Sequence, residues 1–547
     1  MLHIPDPNQI ALESFKTPFE IKMNPKNRWV RLAHLIPWRE LTNIYAKSMS
    51  DNFGRPGINS RIVIGSIIIK VLLDLSDEET LDQIRENIYM QYFLGYPGYQ
   101  DEYPFDASLF VYIRDRMGQE LMDEMNTVII KQGLQFKEKK TRKKKSLDKQ
   151  EPVGRTPATT NEDEKGSTEA QVKAPEEPKG LFEKEPEVSE EEQTPEHSGS
   201  LILDATISDQ YIKYPNDVEL LQDCREKSEG IIDYLHEESL EKKKPRTYRQ
   251  KARKQFLNFA KKKKRNRQAI HKAKGQQIRY LRRNFKTIVR MLDCYEGKPF
   301  PLQAQMLKDY WVIQEIYRQQ KQMYQRKENR CDDRIVNILQ PYVRPMVRGK
   351  QGKDVESHTT PFAEFGSKSL VGWIGGEYVQ MEKMQWDGFN EGSLVIESVL
   401  RYRKTFGYYP EVVIGDRIFI TRANKKELDA LGIRLSGKKL GRKAEGQKRE
   451  EEKQMIKDQK NRVLIEGKFG QGKNAYGLNQ IRMRTKRTSE SMIMSIYFVM
   501  NLVRLAKQVL LWTFLQIDRV LHRIGNWITC WLEPKYTLVN LLVPIKV

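Results

Sequence analysis

Cysteine is scarce in this chain: there are four in 547 residues, Cys224, Cys294, Cys331 and Cys530, and none forms a Cys-x-x-Cys pair. That spacing argues against a zinc ribbon or a disulfide framework and fits a reducing cytoplasm. The first 22 residues contain Asp6, Glu13 and Glu20 and lack an apolar core of signal-peptide length, so secretion is not expected. A long uninterrupted apolar run is also missing. Met492 to Leu515 comes nearest, but Arg504 and Lys507 break it near its middle, which predicts a buried helix and no membrane span.

Acidic residues are nearly absent from one window. Between 241 and 290 there are 21 Lys or Arg and one acidic residue, so this segment holds almost all of the chain's net charge of +22. With 31% charged residues and a pI near 9.5, the chain calls for a polyanionic partner, nucleic acid before a membrane surface. Phe256, Leu257, Phe259, Ile270, Ile278, Leu281, Phe285 and Ile288 punctuate the basic run at spacings that predict amphipathic helices with one cationic face. Lys261, Lys262, Lys263, Lys264 and Arg265 form its densest part and are candidate DNA contacts.

The length exceeds what one hydrophobic core fills, so two or more structural units are expected. Residues 1–136 read as an all-α domain: Leu32, Leu35 and Ile36, then Ile62, Ile64, Ile67, Ile68 and Ile69, recur at helical spacing. Ser76 and Glu79 form a capping-box pattern, and Asp106 stands where it could cap a helix containing Leu109, Phe110, Tyr112 and Ile113. Short helices with polar turns suit a helix-turn-helix DNA reader and equally suit any helical bundle. Residues 137–200 open with a basic run, Lys139 to Lys145, and continue rich in Glu, Pro, Thr and Ser. They bury too little apolar surface to offset ordering entropy and predict a disordered linker. Residues 201–490 read as a mixed α/β domain with a basic helical insertion at about 241–330, and 491–547 as an apolar helical tail.

Three places in the α/β domain can carry chemistry. Ser200-Leu201-Ile202-Leu203-Asp204 and Glu411-Val412-Val413-Ile414-Gly415-Asp416 are apolar strand patterns that each end in an aspartate. In the third, Arg462 and Glu466 stand four apart on one helix face. In-line cleavage of a phosphodiester needs a nucleophilic oxygen, a stabilised leaving oxygen and charge neutralisation at phosphorus. Two hard divalent cations about 4 Å apart, held by carboxylates, supply all three. Each acid also has a plain reading: strands commonly end in Asp, and an Arg and Glu pair is usually a surface ion pair worth well under ~1 kcal/mol. Asp209 and Asp217 could replace Asp204.

Longer motifs add to this. They are Asn27-Arg28-Trp29-Val30, Leu35-Ile36-Pro37-Trp38, Leu75-Ser76-Asp77-Glu78-Glu79-Thr80, Pro104-Phe105-Asp106, Trp386-Asp387-Gly388-Phe389-Asn390-Glu391-Gly392 and Gly432-Ile433-Arg434-Leu435-Ser436-Gly437. With the spacing Arg462, three residues, Glu466, six residues, Lys473, the chain resembles bacterial insertion-sequence transposases of the insertion-sequence four/five superfamily. Those proteins join an InsH-type N-terminal domain to an RNase H-like DDE catalytic domain.

The resemblance implies an RNase H-like mixed sheet with an all-helical insertion, plus an all-α N-terminal domain that binds DNA ends. It implies that Asp204, Asp416 and Glu466 are the metal-binding catalytic triad, on the first strand, the fourth strand and a later helix. The ions would be two Mg²⁺, with Mn²⁺ as a substitute, and Arg462 and Lys473 would contact phosphates near the cleaved end. The implied activity is metal-dependent strand cleavage and strand transfer on transposon terminal inverted repeats and target DNA. A homodimer or larger assembly on DNA in the bacterial cytoplasm, nucleoid-associated and away from membranes, would carry it out. The competing readings are a catalytically inactive or domesticated transposase-derived DNA-binding protein and an RNase H-like nuclease without strand transfer. The sequence departs from the family at Gln459, where a tyrosine is common. A further candidate ligand, His358, stands in a polar stretch where a lone histidine is more often simply solvated.

Overall fold

The computed structural model describes residues 14–17, 22–49, 57–148, 196–238, 243–347, 363–437 and 449–532, with side chains described in all of these except 139–148, 238, 347, 449–452 and 511–532. The expected linker therefore lies outside the described residues from 149 to 195, and His358 lies outside them too.

Seven helices come first: α1 (Arg28–Leu35), α2 (Trp38–Ala46), α3 (Ser60–Leu73), α4 (Asp77–Glu86), α5 (Ile88–Leu94), α6 (Leu109–Arg116) and α7 (Gln119–Asp148). The capping box forms as expected, with the Glu79 amide donating to Ser76 Oγ at 3.1 Å and the Ser76 amide to Glu79 Oε2 at 2.8 Å. Asp106 acts one step earlier than expected. Its Oδ1 accepts from the amide and hydroxyl of Ser108, at 2.8 and 2.5 Å, and so closes the turn ahead of α6 without capping the helix itself.

The sheet follows: β1 (Ser200–Asp209), then α8 (Asp217–Glu238), α9 (Arg249–Ala260), α10 (Arg267–Asp293) and α11 (Ala304–Arg326) before β2 (Arg344–Val347). Next come β3 (Ala363–Ile374), β4 (Tyr378–Gln385), α12 (Val395–Phe406), β5 (Val412–Ile414), α13 (Arg422–Ala430), β6 (Arg434–Ser436), α14 (Arg449–Ala475) and α15 (Lys486–Leu532). β1 is central, antiparallel to β3 on one edge and parallel to β5 on the other, with β6 parallel beyond β5. β2 and β4 pair in succession with the far edge of β3. The result is a mixed α/β sheet with helical regions, in keeping with the fold class read from the sequence.

Helices α8, α10 and α11 build a second, separate core from residues such as Leu221, Ile232, Leu281, Ile288, Ile313 and Ile316. This inserted subdomain starts at α8, upstream of the basic run, because charge marks its solvent face whereas apolar residues define its extent.

The main core is continuous from the N-terminal helices through the sheet to α15. Ile493, Ile496, Phe498, Val499, Leu502 and Leu505 of α15 are at most 1% exposed, so the first half of the apolar stretch that invited the membrane question packs inside the protein. One buried polar cluster crosses this core. Asn501 Nδ2 donates to Asn126 Oδ1 (2.8 Å) and to the Val379 carbonyl (2.7 Å), its Oδ1 accepts the Val379 amide (2.9 Å), and Asn126 Nδ2 donates to the same carbonyl (3.0 Å). Both asparagines are buried and their polar groups find partners, as such groups must. They tie α7, β4 and α15 at a single point.

Candidate active site

Leu201, Ile202 and Leu203 of β1 and Val413 and Ile414 of β5 are almost wholly buried and place the two strands side by side. In the parallel register Ile202 stands opposite Ile414, and the same two-residue step carries each chain to an aspartate, Asp204 and Asp416. The glycine between Ile414 and Asp416 is needed for close approach. A Cβ on Gly415 would stand 2.7 Å from the Phe419 ring. Asp416 is exposed and caps the short 3-10 turn Arg417–Phe419, its Oδ1 accepting the Arg417 amide at 2.7 Å.

The third acid arrives on α14, which packs on β1 and β5. α14 is anchored to β6 by Arg434 Nη1 and Asp458 Oδ2 at 2.5 Å. Arg462 then bridges two candidates: Nη1 lies 3.3 Å from Asp204 Oδ2 and Nη2 3.1 Å from Glu466 Oε1. Glu466 is half exposed, whereas the Asp204 side chain is only 17% exposed. Burial pushes the Asp204 carboxyl up to about 6, opposed by the Ala205 amide and Arg462 and reinforced by the charges of Glu466 and Glu391. Arg462 Nε and, one turn earlier, Gln459 Nε2 are buried without a hydrogen-bond partner among the described residues.

The donor set fits a hard divalent cation. All three candidates are carboxylates, and Asp204 is a buried acid whose charge one arginine at 3.3 Å leaves incompletely compensated. It is not a closed cage. Among the described residues no group of three or more His, Cys, Asp or Glu side chains could hold a metal ion as they stand, because Arg462 lies between Asp204 and Glu466 and Asp416 bonds to its own turn.

The other candidates are spread more widely. Lys473 sits on the last turn of α14, seven residues beyond Glu466 and so on the same face. Lys261, Lys262, Lys263, Lys264 and Arg265 are all exposed on the turn between α9 and α10, in the inserted subdomain, with Arg265 folded back onto the Ala260 carbonyl at 2.9 Å. α10 has the predicted two faces: Arg279, Arg282, Arg283, Lys286 and Arg290 are exposed, and Ile278, Leu281, Asn284 and Ile288 buried. Asp217 is engaged inside that subdomain, bonded to Lys274 (2.8 Å), Gln320 (2.8 Å) and Arg334 (2.6 Å). Asp209 accepts the Phe365 amide at 3.2 Å at the far end of β1.

One pair beside the site was assigned no role from sequence. Lys368 of β3 and Glu391 pair at 2.6 Å, and the Glu391 charge reaches Asp204. Their only signal was the Trp386 to Gly392 motif, which contains Glu391.

Two stretches of the chain match families of known proteins. Residues 413–503 match the family described as Transposase DDE domain, and residues 18–116 match Transposase domain (DUF772). The first stretch contains Asp416, Arg462, Glu466 and Lys473, and it leaves Asp204 outside. The uncharacterized protein ORF8 in the nfe locus of Rhizobium meliloti is 33% identical over 121 residues, which is 22% of this chain. The chain spans 58% of that relative's length. No solved structure matches.

Proposed function

From the premise that these matches support an insertion-sequence DDE transposase, we propose that the chain cuts DNA strands at transposon ends and joins them to target DNA. The observation that carries this reading is the shared register that brings Asp204 and Asp416 to neighbouring strand ends, with Glu466 linked to Asp204 through Arg462. The sheet supports an RNase H-like reading. In chain order β5 is the fifth strand of the described sheet, one later than the resemblance implies for the second acid, because the short β2 joins the sheet ahead of β3.

In this reading Asp204, Asp416 and Glu466 hold two Mg²⁺, for which Mn²⁺ can substitute; bound there, the ions supply an activated water and neutralise charge at phosphorus. The chain's own groups do the rest by positioning and electrostatics. Arg462 keeps two acids in one place at rest, and its guanidinium would meet a phosphate oxygen near the cleaved end. Lys473 meets a neighbouring phosphate from the same helix face. The exposed bases of 261–265 and of α10 grip flanking duplex through its phosphates, contacts that position DNA without reading its sequence. Two ends handled together call for a homodimer or larger assembly on DNA, in the bacterial cytoplasm at the nucleoid.

The test uses labelled duplexes made from inverted repeats flanking the coding region. In Mg²⁺ the wild-type chain nicks the end and transfers it to a second duplex, while Asp416→Ala binds the same duplex and leaves it intact. Nicking by Asp416→Ala would falsify the assignment. Binding without cleavage by the wild type would favour a domesticated DNA-binding protein, and cleavage without transfer a nuclease.

A further inference from the structure

We propose that Lys368 and Glu391 form a positioning pair of the active site, whose salt bridge sets where Asp416 stands relative to Asp204. This rests on the DDE reading of those two aspartates.

The ladder between β1 and β5 does not by itself fix Asp416, because its last pair is Ile202 with Ile414, two residues short of it. On the other edge the Gly415 amide bonds the Ser436 carbonyl at 3.2 Å and stops one residue short of Asp416, so contacts beyond the sheet must hold the rest of the turn that Asp416 caps. The turn Glu391–Leu394 lies directly against it. A Cβ on Gly392 would stand 2.3 Å from the Ile418 carbonyl oxygen, so the two turns touch backbone to backbone. The buried Asn424 stitches them together, its Nδ2 donating to the Gly392 carbonyl at 2.7 Å and to the Phe419 carbonyl at 2.9 Å. Wherever the 391–394 turn goes, Asp416 follows.

Lys368 fastens that turn to the sheet. It lies on β3 directly opposite Ile207, three residues along the strand that bears Asp204. Its ammonium is held three ways: by Glu391 Oε1 at 2.6 Å, by the Phe389 carbonyl at 2.9 Å, and over the Phe389 ring at 4.8 Å. Both side chains are less than 20% exposed, so water screens this pair far less than a surface ion pair, and removing one partner leaves the other charge poorly solvated. A covalent and hydrogen-bonded path thus runs from Asp204 across β1 and β3, through Lys368 and Glu391, and by way of Asn424 to Phe419 in the turn that Asp416 caps.

The experiment compares Glu391→Gln, Lys368→Met, the double variant and the charge swap K368E/E391K in the full chain. Three quantities are read: amide hydrogen exchange of peptides covering 415–420, affinity for the end duplex, and cleavage rate at saturating DNA in Mg²⁺. Each single variant should speed exchange at Arg417 and Phe419, whose amides bond to Asp416. Each should also slow cleavage about ten- to hundred-fold with duplex affinity unchanged, as expected for a small misplacement of a reacting group. The double variant should lose no more than either single one, and the swap should recover much of the rate. Unchanged exchange at 415–420 in both single variants, or losses that simply add in the double variant, would overturn the proposal. If the wild type cuts no end duplex at all, the DDE reading fails, and the exchange measurement still decides whether this pair holds Asp416.

Discussion

Replacing Asp204 by Asn keeps the shape of the side chain and removes its charge, and the consequence for stability can be worked from the burial of that carboxyl. Burial carries it from 3.8 to about 6, a rise of about 2 units and so about 3 kcal/mol at 1.36 kcal/mol per unit. A raised value means the folded chain holds this proton more tightly than the unfolded chain does. Below about pH 4 the group is protonated in both states and costs nothing. Between about pH 4 and 6 the unfolded chain ionises first, so wild-type stability falls, and above about pH 6 the whole cost remains. Asp204→Asn never ionises. In EDTA its stability should match wild type near pH 4 and exceed it by about 3 kcal/mol at pH 8, read by urea or thermal unfolding of the sheet-containing unit across that range. Cleavage should vanish in the same variant. Mg²⁺ at pH 8 should raise the wild-type melting temperature and leave that of the variant where it was. A variant that melts below wild type at pH 8 would refute the reasoning, since Asp204 would then be a structural partner of Arg462 and not a site held at a cost.

Two further outcomes are expected. Asn501→Ala strands the Val379 amide and Asn126 Oδ1 inside the core and should cost about 2–4 kcal/mol; a loss under half a kcal/mol in urea unfolding would show that the cluster is not a junction. Converting Lys261, Lys262, Lys263 and Lys264 together to Ala should reduce the salt slope of DNA binding by about 2–4, since each phosphate contact contributes about 0.9. An unchanged slope by fluorescence anisotropy would place the DNA elsewhere.

Much of the candidate site was legible because its determinants are local. Asp416 follows a β-branched run and a glycine, and Glu466 shares a helix face with Arg462, so period and spacing alone put them on the right elements. The capping box at Ser76 was legible for the same reason. What escaped were groups defined by partners far along the chain. Asp217 looked like a spare acid near Asp204, yet its partners are residues 274, 320 and 334, which no periodicity announces. Lys368 and Glu391 meet only because β3 lies beside β1 and a turn folds back onto the sheet. The charge run likewise marked α9 and α10 and missed α8, which joins them by apolar packing and by polar pairs such as Asp217 with Lys274 and Asp233 with Arg249.

The asparagine cluster at Val379 also decides how force passes through the molecule. Helices that would seize a DNA end and the sheet that would cut it share one core, pinned where Asn126, Val379 and Asn501 meet. A pull on the first is therefore passed to the second through that shared core. The inserted subdomain, with its own core and chain crossings at 210–216 and 327–343, is a limb on which a long duplex would lean without bending the blade. Frame and limb together make a vice with one rigid jaw.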